Sequence, residues 1–170
     1  GTDLINNEGN IVSHLIGILD KIVFMKKYNI TPIFVFDGKP PKIKQNTINH
    51  RNEIKSKAQT KMIEETDKNN KKKLLGMSFS ITKRMISDLK YMLDLLNISY
   101  IQSIGESDSQ LSSLYNNGLI DYIISEDTDI IVFGGNNLIR GFVTNIRHPY
   151  QLINIDPYMK NNNIQKLLNL

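Results

Sequence analysis

Apolar positions recur at helical spacing from Ile11 to Tyr28, where Ile11, Leu15, Ile18, Leu19, Ile22, Val23 and Met25 predict a helix with one face packed inward. The period then changes. Pro32-Ile33-Phe34-Val35-Phe36 is a nearly continuous apolar run, β-branched and aromatic, which suits a strand buried on both faces of a parallel sheet and ends on Asp37-Gly38. From Lys42 to about Lys73 the chain is polar and lysine-rich with few apolar anchors, the pattern of a long exposed helix or of partly disordered chain. A second amphipathic helix is predicted from about Ser80 to Leu96, with Ile81, Met85, Leu89, Met92, Leu93 and Leu96 on one stripe and Asn97 as its stop. The pattern next predicts a strand at Ile98 to Ile101, a helix from about Glu106 to Asn116 closed by Asn117-Gly118, and a strand at Tyr122 to Ser125. Ile130 to Phe133 and Leu138 to Phe142 read as short extended or turn-linked pieces, and Asn161 to Asn163 as a loop. Alternating helix and strand without internal repeat predicts one α/β domain with a mainly parallel central sheet flanked by helices.

Composition bounds the chemistry. At 170 residues, 40% hydrophobic and 22% charged, the chain is long enough to bury a core and too apolar to be disordered throughout. It has no cysteine, which removes disulfides, thiolate zinc sites and cysteine nucleophiles together; its three histidines, His14, His50 and His148, make no metal-ligand spacing. Any bound metal is therefore expected to be held by oxygen. No apolar run approaches the roughly 18 residues of a membrane span and no export signal opens the chain, so a soluble intracellular protein is expected. Twenty-six isoleucines and twenty asparagines against one alanine point to AT-rich coding, which discounts arguments from Asn or Lys abundance.

The formal charge of +4 hides an asymmetry. Lys39 to Lys90 carries fourteen basic and five acidic side chains, net +9, while the remainder carries seven basic and twelve acidic, net −5. From Tyr91 to Ile139 there is no Lys or Arg, yet seven carboxylates occur, six of them between Glu106 and Asp129. Two carboxylates about 4 Å apart at an effective dielectric of about 20 repel by roughly 4 kcal/mol, so converging several demands protons, distant basic groups or bound cations.

Each acid block also has a structural reading. Asp37-Gly38 after a strand is a turn signal. Glu106 and Asp108 flank a helix start, where acids complement the dipole, and Ser107 with Gln110 matches a capping box. Glu126-Asp127-Thr128-Asp129 again follows a strand, and three acids in four residues exceed what turn chemistry requires. Open α/β sheets place their ligand sites at the carboxyl ends of strands, so the three blocks are expected to converge at one end of one sheet. Such a cluster suits magnesium or manganese, which prefer carboxylate and water oxygens.

Phe34-Val35-Phe36-Asp37-Gly38-Lys39-Pro40-Pro41-Lys42-Ile43-Lys44, then Gly105-Glu106-Ser107-Asp108-Ser109-Gln110, then Ile124-Ser125-Glu126-Asp127-Thr128-Asp129 with Phe133-Gly134, resemble in order and interval the flap endonuclease family of structure-specific 5′ nucleases, within the XPG-type superfamily. The resemblance extends from about Glu8 to Phe142. It implies a PIN-like nuclease core using Mg2+ or Mn2+ as two ions, with Asp37, Glu106, Asp108, Asp127 and Asp129 on the metal-binding acids. It places Lys44 and Arg51 on the basic pair beside the scissile phosphate. Lys44, Ile48, Arg51 and Lys55 are also spaced to share one face of a helix beginning just after Pro41. Lys39, Lys42 and Lys55 are expected DNA contacts, and residues 44–77 a basic arch over a single-stranded flap.

The implied activity is hydrolysis of flap or 5′-ended branched DNA in replication, repair or recombination. Implied partners are that DNA and replication or repair proteins such as a sliding clamp, with no membrane. The implied location is the nucleus or a site of DNA replication such as a viral factory. No clamp-binding motif is visible in the sequence. Asp108 stands where flap endonucleases often carry glutamate, a feature closer to the exonuclease branch. The family's opening block with its first metal-binding aspartate and its later helix-hairpin-helix have no counterpart, so the chain is expected to be an interior portion. Two alternatives stand beside this reading: a PIN-type ribonuclease, which shares the acid-cluster α/β core but against which the basic arch argues, and a DNA-binding or assembly module without catalysis.

Overall fold

The protein is described from a computed structural model, which covers residues 12–64, 66–67, 69–71, 74, 78, 80–142 and 150–155. The described chain runs α1 (Ser13–Lys27), β1 (Phe34–Phe36), a 3₁₀ turn (Lys42–Lys44), α2 (Gln45–Glu64), α3 (Lys83–Leu95), β2 (Tyr100–Gln102), α4 (Ser107–Asn116), β3 (Ile123–Ile124), α5 (Asp129–Val132), β4 (Asn137–Arg140) and β5 (Gln151–Asn154). β1 and β2 are hydrogen-bonded neighbours, and β3, β4 and β5 form a second sheet in that order. Helices together with a sheet that contains a parallel pairing give the expected α/β class, the strands falling into two hydrogen-bonded sets among the described residues. No described helix is long and apolar enough to cross a membrane. The Asn161–Asn163 segment and most of the arch beyond Glu64 lie outside the described residues.

The chain divides into two compact units, the first being Gly1–Phe34 with Pro40–Tyr100 and the second Val35–Lys39 with Ile101–Leu170. In the first, α1 buries Ile22 and Met25, and Leu93 of α3 is fully buried. Helix ends follow a shared device. Asn29 after α1 and Asn97 after α3 take φ of 56° and 53°, and the amides of Ile30 and Ile98 reach back to the carbonyls of Met25 and Leu93 at 2.9 Å. Ile98 is thereby spent on the helix cap, which is why β2 begins at Tyr100 instead of Ile98. At its start, α3 uses the Thr82 hydroxyl to accept the Met85 N–H at 3.1 Å, two residues later than the apolar stripe implied.

The polar stretch after Pro41 forms helix, entered through the 3₁₀ turn in which the Lys44 N–H bonds the Pro41 carbonyl at 3.0 Å. Ile48, Lys55, Ala58 and Met62 form its less exposed stripe, while Lys44, Arg51, Lys57 and Lys61 are exposed. β1 is half-buried at all three positions, not sealed on both faces, because β2 is its sole hydrogen-bonded strand among the described residues.

The second unit is built on Ile123, Ile130 and Leu138, each at most 1% exposed, with Leu111, Tyr115, Ile120, Ile131 and Ile153 packed around them. The register aligns them: Ile123 pairs with Leu138 in parallel, and Leu138 with Ile153 in antiparallel. The antiparallel strand β5 has no counterpart in the sequence pattern. Of the two readings of Ile130 to Phe133, extended or turn-linked, the structure has the turn: a short helix, opened by an Asp127 side-chain bond and closed at Gly134, φ 90°. Gly135 follows it. A Cβ there would lie 2.5 Å from Ile130 Cγ2 and 2.7 Å from Ile123 Cδ1, so this core closes only over a glycine. Ser112, 1% exposed, donates to the Ile130 carbonyl at 3.1 Å and ties α4 to α5.

Candidate metal centre

All five candidate metal ligands fall in the second unit; the first two acid blocks follow the hydrogen-bonded neighbours β1 and β2, and the third follows β3, which pairs in parallel with β4. Asp37 comes first. Its turn is stitched to the segment after β2 by Ser103 N–H to the Phe36 carbonyl at 2.9 Å, Gly38 N–H to the Gly105 carbonyl at 2.6 Å and Lys39 N–H to the Ile104 carbonyl at 3.1 Å. The Gln102 side-chain amide also donates to the Asp37 carbonyl at 2.6 Å. The approach is close enough that a Cβ on Gly38 would fall 2.0 Å from the Ser103 carbonyl oxygen, so Asp37-Gly38 is more than a generic turn.

This stitching carries the Asp37 carboxylate to the start of α4. Its Oδ1 accepts from the Ser107 N–H at 2.8 Å and from the Ser107 hydroxyl at 2.6 Å. The expected capping box is therefore absent: the N-cap is Glu106, without a side-chain capping bond, and Ser107 spends its hydroxyl on a residue 70 positions away. Asp108 lies in the first turn, where a negative charge complements the positive end of the helix dipole.

The third block divides its work. Glu126 accepts the Gly141 N–H on both oxygens, at 3.1 and 3.3 Å, an internal anchor from β3 to the end of β4. Asp127 takes the Ser125 hydroxyl with its N–H at 3.1 Å and accepts the Asp129 N–H on Oδ1 at 2.9 Å, the turn that launches α5. Asp127 and Asp129 are exposed.

Carboxylates in a stretch without Lys or Arg from Tyr91 to Ile139, half-buried at Glu106 and Asp108 and exposed at Asp127 and Asp129, are the right kind of donor for a hard divalent cation. Two contacts link them directly. Asp37 meets the α4 start that carries Glu106 and Asp108, and Asp127 meets Asp129; among the described residues no three Asp, Glu or His side chains form a group able to hold a metal ion. Lys44, Arg51, Lys42 and Lys55 belong to the first unit, and Lys39 to the second beside Gly38. The residue that sequence reasoning misassigned is Ser107, since nothing in local spacing reports a bond across 70 residues.

Comparison with known proteins matches the XPG N-terminal domain model to residues 2–58 and the XPG I-region model to residues 97–170. Flap endonuclease 1 of Theileria annulata is 37% identical over 142 residues, 82% of this chain and 28% of that protein. Flap endonuclease 1 of Methanocaldococcus jannaschii is 32% identical over 163 residues, 94% of this chain and 50% of that protein. The solved flap endonuclease-1 from Methanococcus jannaschii aligns with a TM-score of 0.64 at 28% identity, over 94% of this chain and 51% of that one. The catalytic core of Rad2 in complex with DNA substrate shares the fold, with a TM-score of 0.64 at 24% identity over 89% of this chain and 41% of that one. The chain thus spans about half the length of these relatives or less. Two family models matched in order, covering most of the sequence between them, show that this chain belongs to the XPG family, alongside the flap endonuclease 1 proteins.

Proposed function

We propose that the protein is a divalent-metal-dependent, structure-specific 5′ nuclease that hydrolyses phosphodiester bonds in flap or 5′-ended branched DNA. The observation that carries this reading is the Asp37 carboxylate held by the α4 start between Glu106 and Asp108, with one oxygen bonded twice to Ser107. Asp37, Glu106, Asp108, Asp127 and Asp129 are the ligands proposed for two Mg2+ or Mn2+ ions. When bound, such ions supply an activated water and offset charge on the attacking and leaving oxygens.

The chain's own cations have separate roles. Lys44 and Arg51 offset charge on the phosphate undergoing reaction, and Lys39, Lys42 and Lys55 grip neighbouring phosphates. Residues 44–77 serve as the basic arch of a single nuclease domain. Its place of work is wherever the cell or a virus replicates or repairs DNA, with clamp-type proteins as candidate partners.

Cleavage of 5′-flap DNA, matched duplex DNA and single-stranded RNA by the whole protein in Mg2+ tests the reading. Flap cleavage leaving a 5′-phosphate supports it. Cleavage of the RNA alone would make the protein a ribonuclease, and binding to flap DNA without cleavage would make it an assembly module.

A further inference from the structure

Ser107 occupies the first helical position of α4 between two acids, yet its hydroxyl serves neither them nor its own helix. Both of its donors converge on a single oxygen, Asp37 Oδ1, at 2.8 Å from the amide and 2.6 Å from the hydroxyl. The shorter distance lies in the charge-assisted range for O–H···O⁻ bonds. Asp37 Oδ2 accepts no hydrogen bond from the described residues. Two donors approaching one oxygen from different atoms fix the rotation of the carboxylate, which the backbone stitching at Gly38 and Lys39 cannot do.

The geometry points to Ser107 as a positioning residue for Asp37: it occupies one carboxylate oxygen and leaves the other presented for a divalent cation. The inference rests on the proposed role of Asp37 as a ligand, and extends it to a side chain that touches no metal. A plain tether between the β1 turn and α4 is the competing account. Three backbone bonds, from Ser103, Gly38 and Lys39, already join the β1 turn to the segment leading into α4, so the hydroxyl adds orientation more than attachment. Partners of this kind, bonded to a metal ligand, typically change metal affinity by roughly 10–100-fold when removed.

The test is Mn2+ binding to the whole protein without DNA, followed by the electron paramagnetic resonance of free Mn2+, together with single-turnover flap cleavage as a function of Mn2+. Ser107→Ala is expected to weaken Mn2+ binding about tenfold or more and to raise the half-saturating Mn2+ for cleavage by a similar factor, with the maximal rate recovered at saturation. Ser107→Thr, which keeps the hydroxyl, is expected to restore both. Ser107→Cys, of similar size with a weak donor, is expected to follow the alanine variant and gives the same reading should that variant not fold. Wild-type Mn2+ affinity in both the alanine and cysteine variants would overturn the inference. Asp37→Asn separates the two levels: if it loses Mn2+ binding while Ser107→Ala keeps it, only the role of Ser107 falls, and if it keeps wild-type binding, the ligand role of Asp37 falls first.

Discussion

Glu126 holds the backbone of Gly141 through both carboxylate oxygens, at 3.1 and 3.3 Å, so the first acid of the Glu126-Asp127-Thr128-Asp129 block is committed to the fold. A partly buried amide that loses a charged acceptor costs about 1.5–3 kcal/mol. Glu126→Ala is expected to lower unfolding stability by that amount, read in urea, while Glu126→Gln, which keeps an acceptor, loses less and retains flap cleavage. Loss of cleavage in a folded Glu126→Gln protein would instead move this residue into the metal set.

Asp127 and Asp108 are expected to behave in the opposite way. Asp127→Asn preserves a carbonyl oxygen for the Asp129 N–H, so the turn at 2.9 Å survives and the fold with it. Cleavage should fall well beyond tenfold in either Asp127→Asn or Asp108→Asn, while binding of flap DNA in Ca2+ persists. A variant retaining more than about a tenth of the wild-type rate, a loss below roughly 1.4 kcal/mol, would be withdrawn as a ligand.

Lys44 and Arg51 are both exposed, one closing the 3₁₀ turn and the other on α2. Their proposed role lies in the transition state. Alanine at either position is expected to lower the single-turnover rate far more than the affinity for flap DNA. Uniform loss of affinity at unchanged rate would make them ordinary phosphate contacts.

Further along α2, the exposed Lys57 and Lys61 test the arch directly. If both contact duplex phosphates, replacing them with glutamine lowers the slope of log affinity against log salt by about 2, since each neutralised phosphate contributes roughly 0.9. An unchanged slope would leave α2 a solvated helix with no part in DNA binding.

Gly135 supplies a stability test independent of function. Gly135→Ala drives a methyl into Ile130 and Ile123, whose atoms lie 2.5 and 2.7 Å from it, and overpacking of this kind costs about 1–3 kcal/mol. Gly105→Ala meets nothing within 4 Å and is expected to unfold at the wild-type urea midpoint.

The stops were the most legible part of the fold. Asn97 and Asn117-Gly118 were readable because a left-handed residue after a helix is a local requirement, and the structure gives Asn97 φ 53° and Gly118 φ 68°. Asp129–Val132 was not readable, since four residues of Asp-Ile-Ile-Val are too few to show a helical period and their conformation is decided by the Asp127 side chain and the Gly134 cap. Gln151–Asn154 has polar ends, and its strand character comes from pairing with Asn137–Arg140. In the candidate site, the acids could be located from the strands that precede them. The way Ser107 turns away from its own helix toward Asp37 depends on a contact between distant segments, which local pattern does not encode.

The two halves of the acid set also differ in what their assembly demands of the unfolded chain. The anchor between Glu126 and Gly141 spans 15 residues, whereas the bond between Ser107 and Asp37 spans 70. Loop-closure entropy makes the longer link costlier by about 1.4 kcal/mol, before any ordering of the residues it encloses. On loop-closure grounds the β3–α5–β4 contacts that hold Asp127 and Asp129 are the cheaper to form, and the Asp37 strand is expected to dock after them. A nascent chain that has not yet closed this loop lacks Asp37 among its five candidate carboxylates, so full cation-binding capacity is expected only once this unit has finished folding.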